Sequence, residues 1–472
     1  MITGTDKDDW FIITRMPNGI TNIKGYRIKD GAKGPVFWDV DYDSKITKEL
    51  WLYGLDDKDI FEVQGDGDHP VCIKIIGGKN NDTYRLENRK GIKVYDQKTM
   101  PNTFETPAHK TLTDDYELNT YNFMKGRRDL KQIIPMLGYN PDDGLAVGAA
   151  FSYTKNDLRR NPFTAQHDIK ALYYTATSGL NISYAGEFAH IINHLNLGIA
   201  AGYTSPFYAN NFFGFGNDTP DNNDLSMDYN RVRIRTTYFN PSLIYRGYYG
   251  SLIRFGLKYE NIEVEKTAGR YIDLAPVNPK VFDEQTFYTA EASYTYNNFD
   301  SAALPKKGIG VSLTGGYKAN FNEDKGYAYI IPELRITTKI DRKGILVYAT
   351  KLKAQHIFNN DFEFYQAATI GDMDGVRGFR KQRFSGKTSY YQNSDLRLSL
   401  GKLNNGFIPI AWELYGGFDY GRVWIDAENS NTWHTSAGGG LLFNIAGFTT
   451  ANIAFFNSKD GGRLNIGLQI AF

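Results

Sequence analysis

Residues 465–472 read N-I-G-L-Q-I-A-F. Leu464, Ile466, Leu468, Ile470 and Phe472 fall on one parity; Asn465, Gly467, Gln469 and Ala471 fall on the other. A strict period of two is a strand with one greasy face and one small or polar face. The stretch stops on an aromatic residue with no polar tail. In a soluble domain a last strand of this kind leaves unpaired backbone groups that invite aggregation, whereas a closed barrel pairs its last strand with its first. The last strand of an ordinary soluble sheet carries the same alternation, so these residues favour a barrel and the chain before them has to decide.

Working backwards, the same alternation recurs through residues 133–472. Arg231, Arg233, Arg235 and Thr237 alternate with Val232, Ile234, Thr236 and Tyr238; Arg254, Gly256, Lys258 and Glu260 with Ile253, Phe255, Leu257 and Tyr259; Arg397, Ser399 and Gly401 with Leu396, Leu398 and Leu400. Charges interleaved this regularly do not fit a dry sandwich core and suit a wet lumen with lipid outside. Sixteen such segments are counted, from 133–140 to 461–472, an even number as a single-chain bacterial barrel requires. A change of parity near Pro332, between Tyr327, Tyr329, Ile331 and Leu334, Ile336, predicts a bulge there. Tight turns at 141–143, 177–179 and 341–344 contrast with long connections at 205–227, 264–284 and 357–387. Short turns are assigned to the periplasmic end and long loops to the outside. The predicted fold is therefore all-β: a 16-stranded antiparallel transmembrane barrel at 133–472, preceded by a linker at 111–132 and a small β-rich periplasmic domain at 1–110.

Composition agrees with this class. Aromatic residues make up 15% of the 472, with 33 Tyr, 30 Phe and 47 Gly, which suits strands, tight turns and aromatic girdles. Mean hydropathy is −0.45, as expected when only every second residue is apolar, and no apolar run reaches the length of a membrane helix. The 54 basic residues balance 53 acidic ones, so nothing argues for nucleic acid. The single cysteine, Cys72, excludes a disulfide within the chain. No basic-then-apolar leader begins at Met1, and residues 4–11 already read as the middle of a repeat, so a longer parent chain is expected.

That repeat is Gly, Asp five residues on, and an aromatic two further: Gly4, Asp9, Phe11; Gly54, Asp59, Phe61; Gly77, Asp82, Tyr84. Glycine is expected to supply a left-handed turn, aspartate to bond the amides of that turn, and the aromatic to begin a buried strand. G-G-K-N-N-D-T-Y at 77–84 is also similar to the calcium-binding nonapeptide of β-helical proteins. The copies lie 50 and 23 residues apart rather than in tandem, so Asp59 and Asp82 are weak calcium candidates and turn chemistry without metal is the expectation. The G-D-G-D-H run at 65–69 reads as a polar hairpin loop.

The longest connection, 357–387, contains Val376, Arg377, Gly378 and Phe379, and downstream stand Asp395 and then Phe418, Asp419 and Gly421. Together these residues resemble the BamA/TamA-like outer-membrane insertase superfamily, also called the bacterial surface antigen family. The resemblance implies a sixteen-stranded barrel whose sixth outer loop folds inward, with Arg377 at its tip against Asp419 on the inner wall and Asp395 as a second acidic partner. Asn465, Gly467, Ile470 and Phe472 resemble the terminal signal by which such barrels reach their assembly machinery. A guanidinium held inside a barrel needs a carboxylate whatever the family, and a bidentate pair would serve as the clasp of so long a loop. In front, the chain departs from the family's βαβ modules; it looks more like the linker domain of proteins that fuse a phosphoesterase to such a barrel.

Three functions are weighed. The first is a non-enzymatic outer-membrane barrel that inserts, translocates or displays protein, with membrane lipid and a protein substrate or passenger as partners, no cofactor and a monomeric barrel. The alternatives are a passive channel and an anchor for an upstream phosphoesterase domain absent from this chain. A barrel phospholipase would need a serine beside His356 or His434, and none can be placed from the sequence.

Overall fold

A computed structural model of the protein describes residues 1–123, 128–222, 224–404, 408–426, 428–447 and 449–470, and leaves the side chains of residues 248, 404, 469 and 470 undescribed. Two compact units emerge, Met1–Arg127 and Arg128–Phe472.

The front unit is a parallel β-solenoid. Strands Ile2–Thr3, Glu49–Leu55, Cys72–Gly78, Ile92–Asp96 and Lys110–Leu112 form one sheet. Strands Asp9–Arg15, Ile60–Gln64, Thr83–Leu86 and Thr103–Phe104 stack in parallel in a second sheet. The chain alternates between the two, one strand of each per coil. The hairpin Ile20–Lys29 and Ala32–Asp43 extends the second sheet and is inserted after its first strand, which explains why the first two repeats stand 50 residues apart in sequence yet adjacent in space. Residues 65–71 therefore cross from one sheet to the other and are not a hairpin loop, a correction to the sequence reading.

The repeat proves to be a stacking device. The Asp9 amide donates to Asp59 Oδ1 at 2.8 Å, the Asp59 amide to Asp82 Oδ1 at 2.9 Å, and the Asp82 amide to Asn102 Oδ1 at 2.9 Å. Beside this ladder Phe11, Phe61, Tyr84 and Phe104 stack at centroid distances of 5.6, 5.3 and 4.7 Å. A fourth coil, in which Asn102 stands where the others carry aspartate, completes both columns. Gly4, Gly54 and Gly77 are not left-handed, contrary to expectation. They make room: a Cβ on Gly54 would lie 2.2 Å from Asp59 Oδ2, and one on Gly77 2.3 Å from Asp82 Oδ2. Among the described residues no group of three or more His, Cys, Asp or Glu is arranged to hold a metal ion. Asp59 and Asp82 are explained by the ladder.

Their second oxygens are buried and unpartnered. Burial, reinforced by the Asp82 carboxyl beside Asp59 and by the Asp96 carboxyl beside Asp82, pushes Asp59 up to about 9 and Asp82 up to about 8. The folded unit thus keeps protons that the unfolded chain releases above about pH 4. Stability from this source is complete below that pH and is lost as the pH climbs through 8 to 9, by at most about 1.4 kcal/mol per pH unit per group. The urea midpoint of the front unit, followed in the whole chain by protease cleavage, is expected to fall between about pH 6 and pH 9. Replacing Asp59→Asn together with Asp82→Asn flattens the slope; an unaltered slope would place its origin elsewhere.

The second unit is a closed antiparallel barrel. Among the described residues sixteen strands run through it, from Leu130–Asn140 to Gly461–Ile470, and a two-residue strand, Asn210–Asn211, lies on the sixth, Arg231–Arg246. Leu396, Leu398, Leu400, Phe255, Leu257, Leu464 and Ile466 are exposed on the outer wall. The lumen holds ion pairs such as Lys258 and Lys318 with Glu260, both at 2.6 Å, and Arg246 with Glu187 at 2.6 Å.

Three expectations are corrected. The sixth strand is turned the other way at its upper end. Arg233 and Arg235 point outward to Glu265 and Glu263, while Val232 and Ile234 are buried inward against Phe212, Phe287 and Phe364. That end projects above the lipid, so its outer face meets water and its inner face meets packed loops. Pro332 causes no bulge: the register with both neighbouring strands is constant through it. Tyr327, Tyr329 and Ile331 line a lumenal pocket, with the Tyr329 hydroxyl on Glu291. Loop length also fails to sort the two ends. Strand succession places the tight turns 141–143 and 175–178 at the same end as the long loops, together with 459–460.

Candidate functional site

The connection between the eleventh strand, Leu346–Ile357, and the twelfth, Thr388–Asn404, folds back into the barrel as a small hairpin. Ala368–Ile370 pairs with Phe384–Gly386, and residues 371–383 form the tip. Ile370, Val376, Phe379 and Phe384 pack on Tyr391 and Val423 of the wall, so the tip is held by burial before any charge is considered.

Gly378 is where the loop meets the wall most closely. A Cβ there would lie 2.7 Å from Ser436 Cβ and 2.9 Å from Ser458 Cβ, so only glycine fits. This places the preceding residue, Arg377, over the inner wall. Its Nη2 donates to Asp419 Oδ1 at 2.6 Å and to Asp395 Oδ1 at 2.7 Å; its Nε and its own amide both reach Asp419 Oδ2 at 3.0 Å. Asp419 also accepts from the Ser436 hydroxyl at 2.9 Å. The guanidinium lies over the Phe456 ring at 4.0 Å. Gly417 and Gly421 leave space on the wall; a Cβ on Gly417 would touch Asp395 Oδ1 at 2.5 Å, one on Gly421 the Tyr390 carbonyl at 2.7 Å. Asn393 donates to the Gly375 carbonyl at 2.8 Å.

Arg377, Asp395 and Asp419 are thus brought together, with Val376, Gly378, Phe379 and Gly421 around them. Phe418 is not part of this constellation: it is 51% exposed on the opposite face of the strand, as alternation with Asp419 demands.

Two further arginines on the tip have buried partners. Arg380 Nε donates to Asp142 Oδ1 at 2.7 Å, and its Nη2 to Asn211 Oδ1 and the Met227 carbonyl, both at 3.0 Å. Arg383 Nε donates to Asp460 Oδ2 at 2.6 Å, and its other nitrogens to the hydroxyl and carbonyl of Thr219. The signal for them was a spacing of three, Arg377, Arg380, Arg383, with aspartates standing in tight turns.

The barrel closes between its first and last strands. Leu130–Asn140 pairs with the second strand residue for residue, but among the described residues it meets the last strand at one registered pair, Tyr139 with Ile466. On the last strand Asn465 turns into the lumen and is buried, and Gly467 has open space where a Cβ would be. Phe472 and the side chain of Ile470 lie outside the described residues. His434 stacks on Phe384 and bonds Asn217, and His356 bonds Thr388; neither hydrogen-bonds a serine among the described residues.

Residues 291–443 match the family of haemolysin secretion/activation proteins ShlB/FhaC/HecB. Among solved structures the chain is similar to BamA from Haemophilus ducreyi lacking POTRA domains 1–3, with a TM-score of 0.52 and 15% identity over 72% of this chain and 70% of that one. It is also similar to CdiB from Acinetobacter baumannii, with a TM-score of 0.48 and 13% identity over 75% of this chain and 67% of that one. Residues 128–472 thus form a closed sixteen-stranded β-barrel with an inward-folded sixth loop, similar in fold to the BamA structure, and the match to the haemolysin secretion/activation family falls within it.

Proposed function

We propose that this barrel inserts or translocates protein at the outer membrane, with the front unit on the periplasmic side. The observation that carries the reading is the seam. Among the described residues one registered pair joins the first and last strands where every other neighbouring pair of through-strands has at least eight. Backbone groups left unpaired along both edges are a template for an incoming strand. The loop meanwhile occupies the lumen from within, pinned by Arg377. A passive channel has no use for a poorly paired seam.

The test uses the whole chain in liposomes and two probes: a urea-denatured eight-stranded outer-membrane barrel, and an unfolded soluble polypeptide. The expected result is severalfold faster folding of the first, or protease-protected entry of the second, relative to empty vesicles. Neither effect, together with a steady solute-selective conductance, would overturn the proposal in favour of the channel.

A further inference from the structure

The two strands at the seam are poorly joined by backbone, yet their outer ends are tied together through the loop. Asp142 stands in the turn that ends the first strand, and Asp460 in the turn that begins the last. Arg380 holds the former and Arg383 the latter, at 2.7 and 2.6 Å. All four residues are nearly sealed from solvent; Arg383 is 1% exposed. Arg463, on the last strand, reaches Asp142 at 4.0 Å, a direct charge contact across the seam.

We infer that the tip of loop 358–387 is an electrostatic strap across the seam, so that ordering of the loop and closure of the barrel wall are one equilibrium. The inference rests on the insertion reading above, in which an incoming strand parts the poorly paired seam.

The argument is geometric. Arg380 and Arg383 sit one turn apart, with the Arg383 amide bonded to the Arg380 carbonyl at 3.2 Å, and so move as one body. The same guanidinium groups are held by Asn211, Thr219 and Met227 of the third loop, and the tip is packed on the wall around Val423. If the first and last strands part at their outer ends, Asp142 and Asp460 move apart. A single rigid tip can then follow only one of them. The other pair breaks, leaving a buried charge without its partner, which a protein interior tolerates poorly. Opening therefore requires the tip to leave, and whatever draws the tip from the lumen releases both ends of the seam together. Arg377 has a different part: its carboxylates are on the twelfth and thirteenth strands, away from the seam, so it positions the tip and does not bridge the gap.

The experiment reads the width of the seam. Spin labels on Val147→Cys and Phe455→Cys, with Cys72→Ser, sit on the outer wall of the second and fifteenth strands and touch no part of the strap. Pulsed electron-spin distance measurements on the whole chain in nanodiscs are expected to give one narrow distance. Adding Arg380→Gln with Arg383→Gln is expected to create a longer-distance population at least about fivefold above the parent. Should that variant not fold, Asp460→Asn removes one pair only and shifts the distribution in the same direction by less. Distances identical to the parent in the folded variants would overturn the strap. The measurement needs no protein substrate. A seam that widens while the folding and entry assays stay flat would therefore overturn the insertion reading and leave the strap standing.

Discussion

Arg377→Ala is expected to free the loop from the inner wall and to raise the conductance of the barrel in a planar bilayer. The substitution removes both carboxylate partners' counter-charge at once. Asp419 is fully buried and left with the Ser436 hydroxyl and the backbone amide of residue 377, and Asp395 loses its ion-pair partner. Breaking a buried pair by deleting one partner costs about 3–5 kcal/mol, because the remaining charge stays desolvated. That loss falls on an ordered segment of some thirty residues whose conformational entropy opposes the closed state. The apolar contacts of Val376 and Phe379 remain, so the loop detaches in part and the channel flickers between plugged and open states. Arg377→Lys keeps the charge and loses the fork, and is expected to recover part of the clasp. Proteolysis of residues 358–387 provides the second readout. Conductance and cleavage equal to the parent's in Arg377→Ala would show that apolar packing alone holds the loop.

The barrel is legible in the sequence because its governing pattern is local. Alternation survives in most strands, and lipid outside leaves no other reading of Leu396, Leu398 and Leu400 beside Arg397. The pair of Arg377 with Asp419 is legible only through family resemblance, since the two lie 42 residues apart with nothing local to join them. Arg380 and Arg383 escape for the same reason more strongly: their carboxylates are 238 and 77 residues away, in turns whose aspartates look like ordinary turn chemistry. The face of the sixth strand is misread because alternation says which residues share a side and is silent on which side is wet; above the lipid both sides change character. In the front unit the repeat is visible but its meaning is not. Sequence distance suggested isolated turns, whereas the inserted hairpin hides the fact that Asp9, Asp59 and Asp82 occupy one column.

That column makes the second large prediction. Gly77→Ala is expected to unfold the front unit at much lower urea while the barrel keeps its resistance to detergent without heating. The added Cβ would lie 2.3 Å from Asp82 Oδ2, 2.3 Å from the Tyr84 hydroxyl and 2.7 Å from Asp96 Oδ2. None of these can yield cheaply. Asp82 is fixed through Oδ1 to the Asp59 amide, and Tyr84 donates to Asp96 at 2.6 Å while its ring is stacked between Phe61 and Phe104. Overpacking of a tight interior costs about 1–3 kcal/mol, and separating a buried hydrogen-bonded pair about 1–3 more. Against a domain stability of roughly 5–15 kcal/mol the sum is large. Gly31→Ala is the matching control. Gly31 has a positive φ of 76° and nothing within 4 Å of a Cβ, so its substitution carries only backbone strain of about 1 kcal/mol. If the two alanine variants lose the same stability, the glycine of the repeat is a matter of backbone conformation after all. A much greater loss at Gly77, in a chain whose barrel is unharmed, means that Gly-x4-Asp-x-aromatic encodes a packing column in which the missing side chain of one residue is the space occupied by the carboxyl of another.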